Sequence, residues 1–144
     1  MRVLVQRSLN SNVSVDNKII GSIDKGLVLL VGFTQDDNEE KINHLVKKVI
    51  NLRVFDDENG VMNKSILDVG GEILSISQFT LYGNAEKGNR PSYIKALNGE
   101  EAINLYNKFN EELGNFVKVE TGKFGADMKV NIINDGPTTI LLER

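Results

Sequence analysis

The chain opens on alternation. Over residues 1–8, Val3 and Val5 fall on one face of an extended segment and Leu4 on the other, the period of two that marks a strand. Residues 10–12 read as a turn, and Val13, Val15 and then residues 19–23 read as a hairpin around "DNK" at 16–18. "KGLVLLVGF" at 25–33 is a continuous apolar run, which suggests a strand covered on both faces. A helix follows, with Asp37 and Glu40 fitting a capping box and Ile42, Leu45, Val46, Val49 and Ile50 recurring at helical spacing. "DDENG" at 56–60 lacks the ligand ladder of a calcium loop and reads as a turn. Residues 71–82 form a long strand candidate. Asn98 and Glu101 open a second helix, whose buried face is expected from Ala102, Ile103, Leu105, Tyr106 and Phe109. Strands at 116–120, 128–133 and 138–142 close the chain.

No repeat, low-complexity linker or boundary interrupts this pattern, so residues 1–144 are read as a single domain, long enough to bury a core. The expected architecture is α+β: mostly antiparallel or mixed β-sheets in a barrel-like sandwich with two main helices. A composition of 40% hydrophobic and 26% charged residues is ordinary for a globular chain. The net charge of -3 advertises no nucleic acid globally, so an RNA partner would need a local basic patch. The absence of cysteine excludes disulfides, thiolate nucleophiles and zinc–cysteine sites, and one histidine cannot build a multi-histidine metal site. No cofactor is expected. His44 falls opposite the apolar stripe of its helix, among lysines, and reads as a solvated surface residue. The N-terminal segment is too short and polar for a signal sequence, which leaves the cytoplasm as the expected location and no membrane partner.

Three polar patches could carry chemistry. In "SISQFTLYG" (75–83), Ser77 and Phe79 alternate with Gln78 and Thr80 within an apolar strand, where a hydroxyl or amide left unpaired costs about 1–3 kcal/mol. "KGNRPSY" (87–93) places Lys87 and Arg90 in a Gly/Asn/Pro loop, and two cations on a loop suit phosphate as readily as solvent. "GKFGADMKVNIINDGPTT" (122–139) carries Lys123 and Phe124 between glycines, then Met128, then a glycine–proline pair between two strand-like runs.

Together with "QR" at 6–7, "NLRVFDDENG", "LY" at 105–106 and "TGKFGADMKV", the segments "SQFTLYG", "KGNRPS" and "NDGPTT" resemble the D-aminoacyl-tRNA deacylase family, in order and over the full length. Thr138, where a valine is usual, and Ser8 and Asn12 are departures that touch packing rather than the motif cores. The resemblance implies a homodimer that hydrolyses the ester joining a D-amino acid to the terminal ribose of tRNA. It implies catalytic Ser77, Gln78, Phe79 and Thr80, substrate contacts at Arg7, Phe124, Met128, Gly136 and Pro137, and tRNA contacts at Lys87, Arg90 and Lys123, with Lys129 a further candidate. It implies that Gly136–Pro137 is cis and reaches into the partner subunit's site, where rigid main chain rejects an L-residue by collision while glycine, including glycine mischarged on tRNA-Ala, passes. Arg7 would brace the partner's glycine–proline turn.

A Ser–His–Asp arrangement is not available with one poorly placed histidine. Two routes stay open: attack by Thr80, which lacks an evident base, or main-chain N–H donors near Gln78–Thr80 holding the oxyanion while water or the substrate's 2′-hydroxyl does the chemistry. The second needs an irregular strand, because N–H groups spent in a ladder cannot serve a ligand. The competing functional classes are a non-catalytic nucleic-acid-binding or regulatory protein on the same fold, and a dimeric small-ligand-binding module.

Overall fold

The computed structural model describes residues 1–144. Strands β1 (Arg2–Val15) and β2 (Lys18–Gly32) form a long antiparallel hairpin. Its turn is set by Asp16 and Asn17, which adopt φ of 49° and 63°, the pair of positive values that matches strand twist in a two-residue loop. Residues 10–12 are not the expected turn. The strand runs through them, with Asn10 at φ 43° and the pairing with the last strand skipping between Leu9 and Asn12, so the turn-forming asparagines accommodate a bulge.

Strand β2 is central. It pairs β1 on one side and, in parallel, β5 (Glu72–Ser77) on the other, which explains the unbroken apolar run. Strand β6 (Val119–Thr121) adds parallel to β5, and β7 (Lys129–Glu143) adds antiparallel to β1, giving the order β6-β5-β2-β1-β7. A small hairpin, β3 (Phe55–Asp56) and β4 (Met62–Lys64), turns through 57–60, where the Asp57 carboxylate accepts from the Asn59 and Val61 N–H groups. The architecture is α+β with a mixed sheet, as expected, but the barrel-like closure is not found. The sheet is open: β6 and β7 are its two edges and do not pair with each other.

Helices α1 (Glu39–Asn51) and α2 (Gly99–Gly114) cover one face. Val3, Val5, Leu27, Leu29, Val31 and Ile73 pack there with Ile42, Leu45, Val49, Tyr106, Phe109 and Leu113. The opposite face buries Val13, Ile23, Val28, Leu74 and Ile76, with Met128, Val130 and Ile132 against them. The cap of α1 is Asn38, whose side chain accepts from Lys41 N at 3.1 Å, and not Asp37. Asp37 instead accepts from Thr34 N (2.8 Å) and from the Met1 ammonium. In α2, Asn98 caps Glu101 N as expected, but Ile103 lies off the buried stripe of Ala102, Tyr106, Phe109 and Leu113 and is exposed. His44 is exposed on α1. No helix is long and apolar enough to cross a membrane.

Candidate active site

The expected strand over 71–82 stops at Ser77. Gln78 takes φ −146°, ψ 81°, and the chain winds into a 3-10 turn, Phe79–Tyr82. Gly32 permits this crossing, because a Cβ there would stand 2.9 Å from the Gln78 carbonyl oxygen. The far end is tied down by Arg2, whose guanidinium donates to Leu81 O at 2.7 Å and lies 4.7 Å from the centre of the Tyr82 ring. Burial pushes the Tyr82 hydroxyl up to about 12, so it stays neutral beside that cation. The irregularity demanded by a main-chain oxyanion site is therefore present, with one correction. Gln78 N–H is spent on Val31 O at 2.7 Å. The turn's own bonds begin with Leu81 N–H donating to Gln78 O, so the N–H groups of Phe79 and Thr80 have no acceptor within it.

Behind this turn, Tyr106 of α2 donates its hydroxyl to Ser75 O at 2.7 Å, and Gly122 N–H donates to the same oxygen at 3.2 Å. Burial raises the Tyr106 pKa, which keeps the donor protonated. Tyr106 also lies 5.8 Å from the Phe124 ring. Met128 folds over Gly122, where a Cβ would strike its sulfur at 2.4 Å. These contacts draw 122–128 against the end of β5.

The result is a cavity of about 560 Å³ walled by Ser77, Gln78 and Phe79, by Phe124, Gly125, Ala126, Met128 and Val130, and by Val31, Gly32, Phe33, Ile76, Leu97, Gly99 and Ala102. None of the fifteen lining residues is ionisable. Five of the expected site residues thus meet in one place. Thr80 does not line the wall; its hydroxyl accepts from the Gln78 side-chain amide. Lys123 lies exposed beside the wall, Lys129 is exposed at the start of β7, and Lys87 and Arg90 occupy the exposed 84–92 loop. Reading the sequence missed Gly32, Phe33, Leu97, Gly99 and Ala102. The glycine ending β2 and the glycine opening α2 were the available signals, since both spare the space that a side chain would fill.

Gly136–Pro137 lies elsewhere on the protomer. The two C-terminal strand candidates are one strand, β7, interrupted by an excursion: Gln6 pairs Thr139 and Ser8 pairs Asn134, so residues 135–138 stand against Arg7 alone. Asn134 clamps the neck, donating to Arg7 O (3.1 Å) and Thr138 O (3.0 Å) and accepting from Thr139 and Gln6. Arg7, its side chain 11% exposed, donates to Asp135 O (3.2 Å) and Val54 O (2.8 Å) and pairs with the Asp135 and Asp56 carboxylates. Arg7 therefore braces the turn of its own chain, where the resemblance assigned it to the partner's. The Gly136–Pro137 bond is cis, both residues are exposed, and neither lines the cavity.

A family model for D-Tyr-tRNA(Tyr) deacylase matches residues 4–143. The chain belongs to that family. It is accordingly an ester hydrolase of the D-aminoacyl-tRNA deacylase kind. A D-aminoacyl-tRNA deacylase of Clostridium botulinum (strain Langeland / NCTC 10281 / Type F) is 60% identical over 144 residues, covering 99% of this chain and 97% of that protein. One from Clostridium novyi (strain NT) is 57% identical over 147 residues, with the same coverage. Among solved structures, a c-Myc DNA Unwinding Element Binding Protein superposes with a TM-score of 0.95 at 42% identity, covering 100% of this chain and 99% of that one. A probable eukaryotic D-amino acid tRNA deacylase (TM-score 0.82, 18% identity, 98% and 97% covered) shares the fold.

For this deacylase, the neutral cavity wall leaves no side chain of the protomer to act there as a titrating base. Replacing His44 by alanine is expected to leave kcat/KM on a D-tyrosyl-tRNA, and its pH profile from 6 to 9, within twofold of wild type. A variant whose rate or pH profile departs from wild type by more than that would contradict this.

Proposed function

We propose that the protein clears D-amino acids from tRNA by hydrolysing the ester to the terminal adenosine, with the aminoacyl end seated in the 560 Å³ cavity. The observation that carries this reading is the cavity wall itself: Ser77–Phe79 and Phe124–Met128, the two motif segments, face one concave space with free main-chain donors at its edge. Phe79 and Thr80 N–H groups hold the developing oxyanion, and such preorganised donors contribute roughly 3–4 kcal/mol each. Water or the substrate's own 2′-hydroxyl supplies the nucleophile, because the wall offers no base. Hydrolysis of D-tyrosyl-tRNA but not L-tyrosyl-tRNA tests the reading; equal cleavage of both, or of neither, would refute it.

Two further outcomes follow from these roles. Thr80→Ala and Thr80→Val retain activity within about tenfold, because the side chain is engaged with Gln78 and off the wall. Complete loss in both with the fold intact would make Thr80 the nucleophile. A substrate ending in 2′-deoxyadenosine reports on the ribose, and turnover unchanged from the ribo-ester would exclude its participation.

Stereochemical rejection falls to Gly136 and Pro137 of a second copy of this chain. The exposed, braced excursion is too far along the sheet to wall its own cavity, yet it presents main chain without a Cβ at Gly136. Selection by collision ignores the identity of the side chain. D-tyrosyl and D-aspartyl esters should therefore be cleaved at rates within about tenfold, with glycyl-tRNA, including tRNA-Ala carrying glycine, also accepted. On this reading the protein acts in the cytoplasm as a homodimer with a shared site. A second reading, nucleic-acid binding without hydrolysis, is favoured only by the structural relative named for binding a DNA unwinding element; binding without deacylation in the same tyrosyl-tRNA assay distinguishes it.

A further inference from the structure

We propose, on the deacylase reading above, that Tyr93, standing edge-on to Phe79, forms with the cations of the 84–95 segment a shelf outside the cavity. This shelf takes the unpaired nucleotides immediately 5′ of the terminal adenosine. Phe79 joins the two regions. It lines the cavity, yet the residue is 56% exposed, and its ring centre lies 5.1 Å from that of Tyr93 at an interplanar angle of 69°. Tyr93 is 40% exposed and its neighbour Ile94 80%. A polynucleotide whose last residue enters the cavity beside Phe79 meets Tyr93 next.

The shelf is built, not loose. Asn84 and Ser92 exchange two main-chain hydrogen bonds of 2.9 and 2.8 Å, closing the loop that carries Lys87 and Arg90. Thr34 donates its hydroxyl to Lys95 O at 2.6 Å, and Leu97 N–H donates to Phe33 O at 2.9 Å, anchoring the segment to the end of β2. The Tyr93 ring rests on the main chain at Gly83, where a Cβ would stand 3.0 Å from its edge. Such fixed aromatic surface is ready to stack a base without ordering itself first.

Charge selects the occupant. The protein carries a net −3, yet Lys87, Arg90 and Lys95 sit together on this segment against a single acidic residue, Glu86. None of the three cations takes part in any ion pair of the protein. Aromatic rings interleaved with unpaired cations suit a single-stranded backbone, whose bases stack while its phosphates meet the cations.

The test compares two D-tyrosyl esters, one on adenosine alone and one on the trinucleotide CCA. Wild type should favour the trinucleotide. Tyr93→Ala should lower kcat/KM on the trinucleotide by about tenfold, through KM, within the range that loss of one base–aromatic stack produces, and leave the adenosine ester within twofold. Tyr93→Phe should restore the trinucleotide preference. Lys87→Ala and Arg90→Ala should each reduce the slope of log kcat/KM against log salt on the trinucleotide by about 0.7, the value for one single-strand phosphate contact. An equal fall on both esters, marking a merely structural tyrosine, would overturn the shelf, as would no change on either. A wild-type protein that cleaves neither ester overturns the shelf alone if it still hydrolyses D-tyrosyl-tRNA, and removes the deacylase reading with it if it does not.

Discussion

Gly136→Ala should reduce D-aminoacyl-tRNA hydrolysis by at least a hundredfold while leaving a folded protein. Gly136 adopts φ 112°, a conformation that an alanine reaches only with strain, and its new Cβ would stand 2.7 Å from Thr138 Oγ1, 2.9 Å from Arg7 Nη2 and 3.0 Å from Thr138 N. Relief requires the excursion to shift or Arg7 to leave Asp135 and Val54. The excursion is exposed and belongs to neither apolar cluster, so the stability loss is of the order of 1–3 kcal/mol. On the proposed filter role function is hit harder, since rejection by collision depends on the position of a few main-chain atoms. Gly60→Ala serves as the control: φ is 74°, but nothing lies within 4 Å of the new Cβ, so it carries backbone strain alone. Activity of Gly136→Ala within threefold of wild type, with discrimination between D- and L-tyrosyl esters intact, would rule out this segment as the filter.

Gly26→Ala should destabilise the fold more than either Gly136→Ala or Gly60→Ala. Gly26 pairs with Glu72 at the start of the parallel β2–β5 ladder, and a Cβ there would lie 1.8 Å from Glu72 O and 2.6 Å from Glu72 N. Both are main-chain atoms in a sheet, so no side chain can swing aside. The strands must separate, which exposes Leu27 and Ile73, both fully buried, and displaces the strand that ends at Ser77. Overpacking of this kind exceeds the usual 1–3 kcal/mol. A fall in Tm of about 10 °C or more is expected, at roughly 2–4 °C per kcal/mol for a chain of this size. A thermal melt within 3 °C of wild type would show that the ladder opens without consequence and would contradict the register.

Local signals in the chain account for much of this fold. The hairpin turn at Asp16–Asn17, the buried run of β2, and both helices with their apolar stripes follow from patterns set by a few neighbouring residues. Errors fall where two local signals compete. Asp37 and Asn38 both suit a helix cap, and the buried ammonium of Met1 takes Asp37, leaving the cap to Asn38. Asn10 suits a turn, but the pairing partners on both sides of β1 hold it in a bulge.

The site divides in the same way. The residue types of the cavity wall, Ser77–Phe79, Phe124 and Met128, are written in the sequence as motifs, and so is the lack of any ionisable base among them. Only the tertiary structure decides that Gln78 N–H is spent on Val31 while those of Phe79 and Thr80 are not, that Thr80 turns away, and that Gly32, Gly99 and Ala102 complete the wall. It also decides that the Gly136–Pro137 excursion stands apart from its own protomer's cavity. The reason is physical. Turns, caps and stripes depend on residues within one or two turns of chain, whereas a cavity depends on which strands become neighbours and in what register, and that is fixed by burial summed over the whole core.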